Sequence, residues 1–404
     1  MKIIVLKFGG TSVGSTERIK KVAKIIVSYV NKKYRVIVVS SAMSGVTNDL
    51  VKKSKKLSRE FSKAEHDVLV SSGEQMSCAL ISGRLVDMGY KSRSWMGWQI
   101  PILTEGNYSS SRISRIEKTK IQNYIKSGGI PVITGFQGVN SEFRVTTLER
   151  GGSDASAIMC AKFFNADKCV IYTDVEGVYT TDPKVIKSAK KIKVISYEEI
   201  LEMASLGAKV MQPASIQDAR LNRIDIHVKS SFKKKTGTRI TKKKNISQPK
   251  IITGVSFSKN DAKVTLVGVK DRPGIAASIF KPFSINNINV DMVVQNISAN
   301  GAETDLTFTI KAQDATKSEK LIRSNKNLKF RKLIIDKNVS KVSIIGVGMI
   351  TTPGVTFRMF NALAKKKINI LVISTSEIKI SVLVKKKDII KSVSTLHKEF
   401  GLDN

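Results

Sequence analysis

The sequence predicts an α/β protein in which a mostly parallel sheet is followed by two small ferredoxin-like domains. Three observations predict it: apolar runs alternate with amphipathic stretches over residues 1–230, a polar and basic stretch fills 231–250, and the remainder repeats itself. Alternating strands and helices are typical of layered folds that bind ligands at the carboxyl ends of their strands. We therefore expect functional residues at those ends.

Within the first domain, 1–230, apolar runs predict strands and apolar positions at helical spacing predict helices. The predicted strands are 3–7, 35–41, 99–103, 130–134, 168–173 and 224–229, and the predicted helices are 16–31, 73–88, 113–126, 153–164 and 209–221. Residues 231–250, SFKKKTGTRITKKKNISQPK, have little periodicity, so we expect a basic linker there.

Beyond residue 250 the chain contains an internal repeat. KVTLVGVKDRPGIAAS from Lys263 resembles KVSIIGVGMITTPGVTFR from Lys341. Each copy reads strand, Pro-Gly turn, helix, strand, strand, helix, which is close to the βαββαβ order of a ferredoxin-like domain. We expect one such domain at 259–335 and another at 336–404, with a strand at 251–258 completing the second sheet.

Composition narrows the class of protein. The 404 residues are 41% hydrophobic, enough for two to three domains, and no apolar run is long enough to cross a membrane or to form a signal peptide. Cys78, Cys160 and Cys169 contain no C-x-x-C pair, which is typical of reduced thiols in a cytoplasmic protein.

The formal net charge is +36, yet the lysines are scattered and aromatic residues amount to only 6%. A nucleic-acid-binding protein usually interleaves basic and aromatic residues in a recognisable module. We expect neither nucleic acid nor membrane as a partner, and a lysine-rich surface that attracts anionic substrates.

The segment LKFGGTSVGS places Lys7 and the pair Gly9-Gly10 directly after an apolar strand. Glycines at a strand-to-helix turn let backbone N–H groups approach a phosphate, and a lysine adds a compensating charge. A P-loop and a dinucleotide fingerprint are both excluded, because this lysine precedes its glycines.

Other segments place polar residues at predicted strand ends or helix starts. They are VVSSAMSGVTN with Ser41 and Thr47, SSGEQMS with Glu74, TLERGGSDAS with Arg150, Ser153 and Asp154, and IYTDVEGVYTTDPK with Asp174, Tyr179 and Lys184. Each alone is explained by a helix cap or a turn. Together at one edge of a sheet they indicate a binding site.

The three histidines, His66, His227 and His397, lie in unrelated contexts, which disfavours a histidine triad or a metal cluster. Lysine and arginine at glycine-rich turns suit phosphoryl transfer, which depends on positioning and charge neutralisation. A carboxylate acceptor needs no general base, because it is already ionised at neutral pH.

The segments KFGGTSV, SAMSGVTN, SSGEQMS, ERGGSDASA, YTDVEGVYTTDPK and EEILEMASLGAKVMQP, in this order, resemble the signature segments of aspartokinases. The repeat resembles their paired ACT domains, and the chain is similar to the monofunctional type regulated by lysine and threonine. The resemblance implies a three-layer amino-acid-kinase fold. It also implies ATP-dependent phosphorylation of the β-carboxylate of L-aspartate, the first step towards lysine, threonine and methionine.

The resemblance also implies roles for individual residues. The catalytic set is Lys7, Glu74 and Asp154, and the nucleotide set is Lys7, Gly9, Gly10, Thr173, Asp174, Tyr179, Lys184 and Lys209. The substrate set is Ser41, Thr47, Glu74, Arg150, Gly151, Gly152 and Ser153. Mg²⁺ is expected to arrive with ATP, with no metal site of the protein's own.

The repeats are expected to bind threonine, lysine or both at their interface and to join copies into a homo-oligomer. The effector set is Asp271, Gly274, Asn289, Val290, Asp291, Gln295, Val355, Thr356, Asn369, Ile370, Ser376 and Glu377. A shorter regulatory subunit made from an internal start is left open.

Four positions depart from the family pattern, and one of them is Ala214, which follows Pro213 where arginine is frequent. Glu149 replaces a usual glycine, Lys184 a more common arginine and Leu371 a glutamate. Two alternatives stay open: another amino-acid kinase of the same fold, such as a glutamate or acetylglutamate kinase, and an amino-acid sensor without catalysis.

Overall fold

The computed structural model describes residues 2–403 except 150, 206–210, 244–245, 247–249, 298–302 and 326–327. The chain divides into two compact units. The first comprises Met1–Val178, Lys191–Ala204 and Lys209–Ser247, and the second comprises Tyr179–Lys190, Ser205–Ala208 and Gln248–Asn404. The second unit therefore includes a short segment, Tyr179–Lys190, from the middle of the predicted first domain.

The first unit alternates strands and helices. Its strands are β1 (Ile3–Phe8), β2 (Arg35–Ser40), β3 (Ser92–Trp95), β4 (Ile102–Glu105), β5 (Arg112–Ile116), β6 (Ile130–Thr134), β7 (Gln137–Val139), β8 (Val145–Thr147), β9 (Lys168–Thr173), β10 (Val194–Ser196), β11 (Ile226–Ser230) and β12 (Thr238–Thr241). Its helices are α1 (Thr16–Val30), α2 (Val46–Leu57), α3 (Lys63–Asp87), α4 (Thr119–Lys126), α5 (Gly152–Phe163), α6 (Tyr197–Ser205) and α7 (Pro213–Asn222).

The main sheet has the strand order β10-β12-β11-β9-β1-β2-β6-β3, and every pairing in it is parallel except β11 with β12. On one face Leu6 and Phe8 pack with residues of α1 and α3 in a buried core. Because neighbouring side chains of a strand point to opposite faces, Lys7 points to the other face, where Asp154 of α5 meets it. The sheet between two helical layers is the predicted α/β architecture.

Two predicted elements are wrong. Residues 113–116, expected to open a helix, belong to β5, which pairs with β4 in a second sheet of order β5-β4-β7-β8, and helix α4 begins only at Thr119. Part of the expected linker 231–250 is strand β12, which pairs with β10 and β11. The cause is burial: Thr238, Ile240 and Thr241 lose their exposure by joining the sheet.

The second unit is built on one six-stranded sheet of order β14-β15-β13-β16-β18-β17. Its strands are β13 (Gly254–Lys270), β14 (Asp291–Ile297), β15 (Glu303–Lys311), β16 (Lys332–Ile345), β17 (Val372–Thr375) and β18 (Lys379–Lys385), and its helices are α8 (Ile275–Ile285), α9 (Ala315–Ser324), α10 (Val355–Lys365) and α11 (Ile389–Glu399).

The repeats share the two long strands of this sheet. The first part of β13 pairs with the last part of β16, from Gly254 opposite Ile345 to Ser258 opposite Lys341. The later part of β13 pairs with β15 and with the first part of β16. One buried core forms under α8 and α9 and another under α10 and α11, so each repeat keeps its own core.

Segment Tyr179–Lys190 packs on the second repeat. The Val255 N–H donates to the Thr180 carbonyl at 2.7 Å, and Thr180 Oγ1 lies 2.9 Å from His397 Nε2. Ile186 packs against the core under α10 and α11. These two hydrogen bonds and this apolar contact attach the segment to the second repeat.

Cys78, Cys160 and Cys169 are free and buried. In the part of the chain that the structure describes, no helix combines the length and apolar character needed to cross a bilayer.

Candidate active site

A buried ion pair lies at the carboxyl end of β1. Lys7 Nζ is 2.6 Å from Asp154 Oδ1, and both side chains are about one-tenth exposed. Asp154 lies in the first turn of α5, which begins after Gly151 in a left-handed conformation with φ of 89°. An ammonium held by one carboxylate at a helix N-terminus is well placed to neutralise a phosphate.

The N–H groups of Gly9 and Gly10 differ in whether the described residues offer them a protein acceptor. Gly9 donates its N–H to the Tyr172 carbonyl at 3.1 Å, so this group is used by the sheet and does not fit the expected donation to a phosphate. A methyl group at Gly9 would lie 3.6 Å from Lys7 Nζ, so glycine leaves the space before the ammonium open. The Gly10 N–H has no protein acceptor among the described residues, and this donor remains for a ligand.

Glu74 is a buried carboxylate on α3. Its Oε1 accepts the Ala42 N–H at 3.0 Å, while its Oε2 is buried without a hydrogen-bond partner among the described residues. Burial raises the pKa of Glu74 to about 7, despite the opposing effect of the Ala42 N–H. Such a group is poised to accept a cationic donor such as an α-ammonium.

The loop after β2 is tied to both its neighbours. The Ser41 N–H donates to the Phe8 carbonyl at 3.0 Å, and Ser77 Oγ donates to the Ser41 carbonyl at 2.8 Å. Thr47 lies half-buried in the first turn of α2. Ser41 therefore lies in the loop after β2, Thr47 at the start of α2 and Glu74 on α3, and Glu74 Oε1 accepts the N–H of Ala42 in the same loop as Ser41.

On α5, Ser153 is buried against the turn that follows β6, where a methyl group at Gly135 would lie 2.8 Å from its Oγ. Glu149 is exposed, and its carbonyl accepts the Gly152 N–H at 2.8 Å. Arg150, the predicted carboxylate-binding residue, lies outside the described residues.

The residues predicted to bind the nucleotide do not all belong to one unit. Thr173 ends β9 beside β1 and donates from Oγ1 to Asp174 Oδ1 at 3.1 Å. Tyr179 and Lys184 belong to the second unit, and Lys184 is exposed. Lys209 lies outside the described residues.

No group of three or more His, Cys, Asp or Glu side chains that could hold a metal ion occurs within the described ranges. A separate groove of about 840 Å³ in the first unit, lined by residues such as Trp95, Trp98 and Tyr124, contains none of the predicted site residues.

In the second unit the predicted effector residues lie mostly in loops and at element ends, and only Asp291 and Gln295 belong to a strand, β14. Met292 of β14 packs against Val372 of β17 and Leu383 of β18 in a small buried cluster. Asp291 forms an ion pair with Lys341, so its carboxylate already has a cation. Asn289, Asn369 and Glu377 are exposed.

Comparisons with known proteins agree with both units. The model of the amino acid kinase family matches residues 2–230, and the ACT domain model matches 264–325 and 342–400. An aspartate kinase of Pseudomonas putida is 44% identical over 406 residues, covering 100% of this chain and 98% of the relative. The chain belongs to the aspartokinase family. Aspartokinase 2 of Bacillus subtilis is 40% identical over 403 residues, with the same coverage.

Among solved structures, E. coli aspartokinase III in complex with aspartate and ADP superimposes with a TM-score of 0.81 at 26% identity, covering 98% of this chain and 99% of that one. The same enzyme in complex with lysine and aspartate also gives 0.81 at 26% identity, covering 99% and 100%. As an aspartokinase, the chain is an ATP-dependent kinase.

Sequence reasoning missed one buried polar residue beneath this site, Asp67. It precedes Glu74 by two helical turns, so an acidic residue on the inner face of α3 was the available signal.

Proposed function

We propose that this protein transfers the γ-phosphoryl group of ATP to the β-carboxylate of L-aspartate and forms 4-phospho-L-aspartate. The observation that carries this proposal is the buried Lys7–Asp154 pair beside an open glycine turn. Phosphoryl transfer requires positioned positive charge more than covalent chemistry from the protein. Lys7 supplies that charge, and Asp154 fixes where it points.

Glu74 supports aspartate as the acceptor. Its buried Oε2 has no partner among the described residues, and an α-ammonium would provide one. Arg150 is assigned to the α-carboxylate by resemblance. With both α-groups held, the β-carboxylate is the free nucleophile, and it needs no base because it is ionised at neutral pH.

Mg²⁺ fits this site as an ion that enters with the nucleotide. The acidic side chain here, Asp154, already contacts Lys7, and Mg²⁺ is commonly held by one or two carboxylates together with substrate phosphates. When bound, it would offset phosphate charge, and Asp154 is the residue that would face it.

We further propose that the repeats bind amino-acid effectors between β14 and β17, that they join copies into a homo-oligomer, and that the cytoplasmic reaction is the first step towards lysine, threonine and methionine. The packing of Met292 on Val372 supports the effector site, because Met292 directly follows Asp291 of the first predicted set and Val372 is close in sequence to Ile370 of the second. The relative crystallised with lysine supports an amino-acid effector.

The test is acyl-phosphate formation from MgATP and L-aspartate, trapped as the hydroxamate, with L-glutamate as the competing acceptor. We expect product with aspartate, none with Lys7→Ala, and less in the presence of threonine or lysine. ATP binding without any aspartate-dependent product would overturn the assignment in favour of a sensor. Preference for glutamate would indicate another kinase of the same fold.

A further inference from the structure

Asp67 is a fully buried carboxylate that the proposed reaction does not use. Its Oδ2 accepts two backbone N–H groups, from Ser109 at 2.8 Å and Thr147 at 2.7 Å. Its Oδ1 accepts the hydroxyls of the same two residues, at 2.7 and 2.8 Å. One side chain therefore attaches α3 both to the loop before β5 and to the end of β8.

In the described part of the chain, the Asp67 carboxylate has little positive charge beside it. Among the described residues, the basic group found within 4.0 Å of it is His66, whose Nδ1 lies 3.7 Å from Oδ1. A buried carboxylate is costly unless hydrogen bonds satisfy it, and bonds to an ionised acceptor are stronger than neutral ones. The four contacts satisfy both buried oxygens of Asp67, and two of them hold Thr147 in place.

Thr147 is the last residue of β8, and the segment 148–154 follows it directly. The Leu148 N–H donates to the Phe136 carbonyl at 2.9 Å, and a methyl group at Gly152 would lie 2.4 Å from Leu148 Cβ. Leu148 therefore supports the start of α5, which carries Asp154. A contiguous set of contacts runs from Asp67 through Thr147 and Leu148 to Gly152 in the first turn of α5.

The same helix also carries Glu74. Asp67 and Glu74 are seven residues apart on α3, so their side chains share one face. Between them, Gln137 Nε2 donates to the Ser71 carbonyl at 2.9 Å and attaches the helix to β7. Helix α3 therefore positions Glu74 directly, and through the Asp67 contacts it positions Thr147 and Leu148, which precede α5.

We propose that Asp67 is a positioning residue for aspartate binding, holding Leu148 and the start of α5 at a fixed distance from Glu74. This inference rests on the proposed function for its kinetic consequence, but its structural consequence can be measured without it.

The hydrogen-bond pattern predicts which substitutions are tolerated. Asn at position 67 can place its oxygen at the Oδ2 position to accept both N–H groups, and its NH₂ can donate to the two hydroxyls, which then act as acceptors. Ala leaves two buried backbone N–H groups without an acceptor. Thr147→Val removes one hydroxyl and keeps the backbone contact.

The experiment compares Asp67→Ala, Asp67→Asn and Thr147→Val with Leu85→Ala, a destabilising control in the buried core on the same helix. We expect Asp67→Ala to raise KM for aspartate on the order of tenfold or more while KM for ATP stays within about twofold. Thr147→Val should be intermediate, Asp67→Asn close to the wild type, and Leu85→Ala should lower stability without changing KM.

Hydrogen exchange of the amides of residues 148–154 is the second readout. It should accelerate in Asp67→Ala and not in Asp67→Asn or Leu85→Ala. The proposal is overturned if Leu85→Ala matches Asp67→Ala in both measurements, or if Asp67→Ala changes neither. Should the wild type make no acyl phosphate, the proposed function fails, and the exchange result alone decides the role of Asp67.

Discussion

Two parts of the active site handle a buried carboxylate in opposite ways. In the phosphate corner, defined by Lys7, Gly9, Gly10 and Asp154, the acid contacts an ammonium at 2.6 Å. In the amino-acid corner, defined by Ser41, Thr47 and Glu74, the acid accepts one backbone N–H and has a pKa raised to about 7 by burial. The acid of the first corner is paired with a protein cation, whereas the acid of the second keeps one buried oxygen without a partner among the described residues.

The largest effect should come from breaking the phosphate corner. Lys7→Met should lower the rate of acyl-phosphate formation on the order of 10³-fold, because it removes the cation that faces the transferring phosphate. It should also cost about 3–5 kcal/mol in urea unfolding, since Asp154 is left buried and unpaired.

The double variant Lys7→Met/Asp154→Asn separates the two effects. It removes the uncompensated charge, so most of the stability should return while activity stays lost. Recovery of activity in the double variant would contradict a catalytic role for Lys7.

In the amino-acid corner, Glu74→Gln should raise KM for aspartate about 10- to 100-fold and leave KM for ATP nearly unchanged. The amide oxygen still accepts the Ala42 N–H, but the charge that binds the ammonium is gone, and a hydrogen bond to a charged group contributes about 1.5–3 kcal/mol. Succinate, which lacks the amine, is the matched ligand control. Inhibition by succinate should be equal in both enzymes, and a parallel loss would place Glu74 elsewhere in the mechanism.

The raised pKa of Glu74 gives the comparison a pH dependence. The ionised form binds the ammonium, so kcat/KM for aspartate should rise up to about tenfold per pH unit as pH increases towards 7, and Glu74→Gln should flatten this rise. A wild-type profile without an inflection near neutral pH would show that Glu74 is ionised before substrate binds.

Stability of the ligand-free protein should change in the opposite direction. Because the folded pKa lies above the ordinary glutamate value of 4.5, the contribution of Glu74 is full below 4.5 and is lost as pH rises through about 7. Relative to Glu74→Gln, the wild type should lose about 3 kcal/mol of unfolding free energy between pH 4 and pH 8. Urea titrations of both proteins at these pH values measure the difference.

The smallest effects should come from the glycine pair. Gly9→Ala adds a methyl group 3.6 Å from Lys7 Nζ, at ordinary contact distance, and should raise KM for ATP several-fold without loss of stability. Gly10→Ala meets the Ala42 carbonyl oxygen at 2.8 Å and should lower stability instead. Thermal unfolding and ATP kinetics of the two variants distinguish these effects. Equal stabilities of the two variants would contradict the steric clash expected at Gly10.

The sequence alone predicts the α/β unit and the repeats, because strong apolar runs, helical spacing and a visible internal repeat mark them. The contact of Lys7 with Asp154 is a finding of the structure. The sequence does not predict β5 or β12, since short polar strands are decided by the partners that they pair with. It also cannot assign Tyr179–Lys190 to the second unit, because that depends on contacts with Val255 and His397, which are distant in sequence.

The raised pKa of Glu74 cannot be predicted from the sequence for a related reason. A motif names the carboxylate, but its raised pKa comes from what surrounds it in space. Asp67 is missed because the periodicity predicts a helix only from residue 73, whereas α3 begins at Lys63.

The two long strands, β13 and β16, also limit where the chain of such a protein can be divided. Since β13 and β16 each run through both repeats, no single cut between the two ACT sequences leaves either with its complete sheet. The duplication is visible in the sequence, but the smallest unit that contains a complete sheet is the pair of repeats.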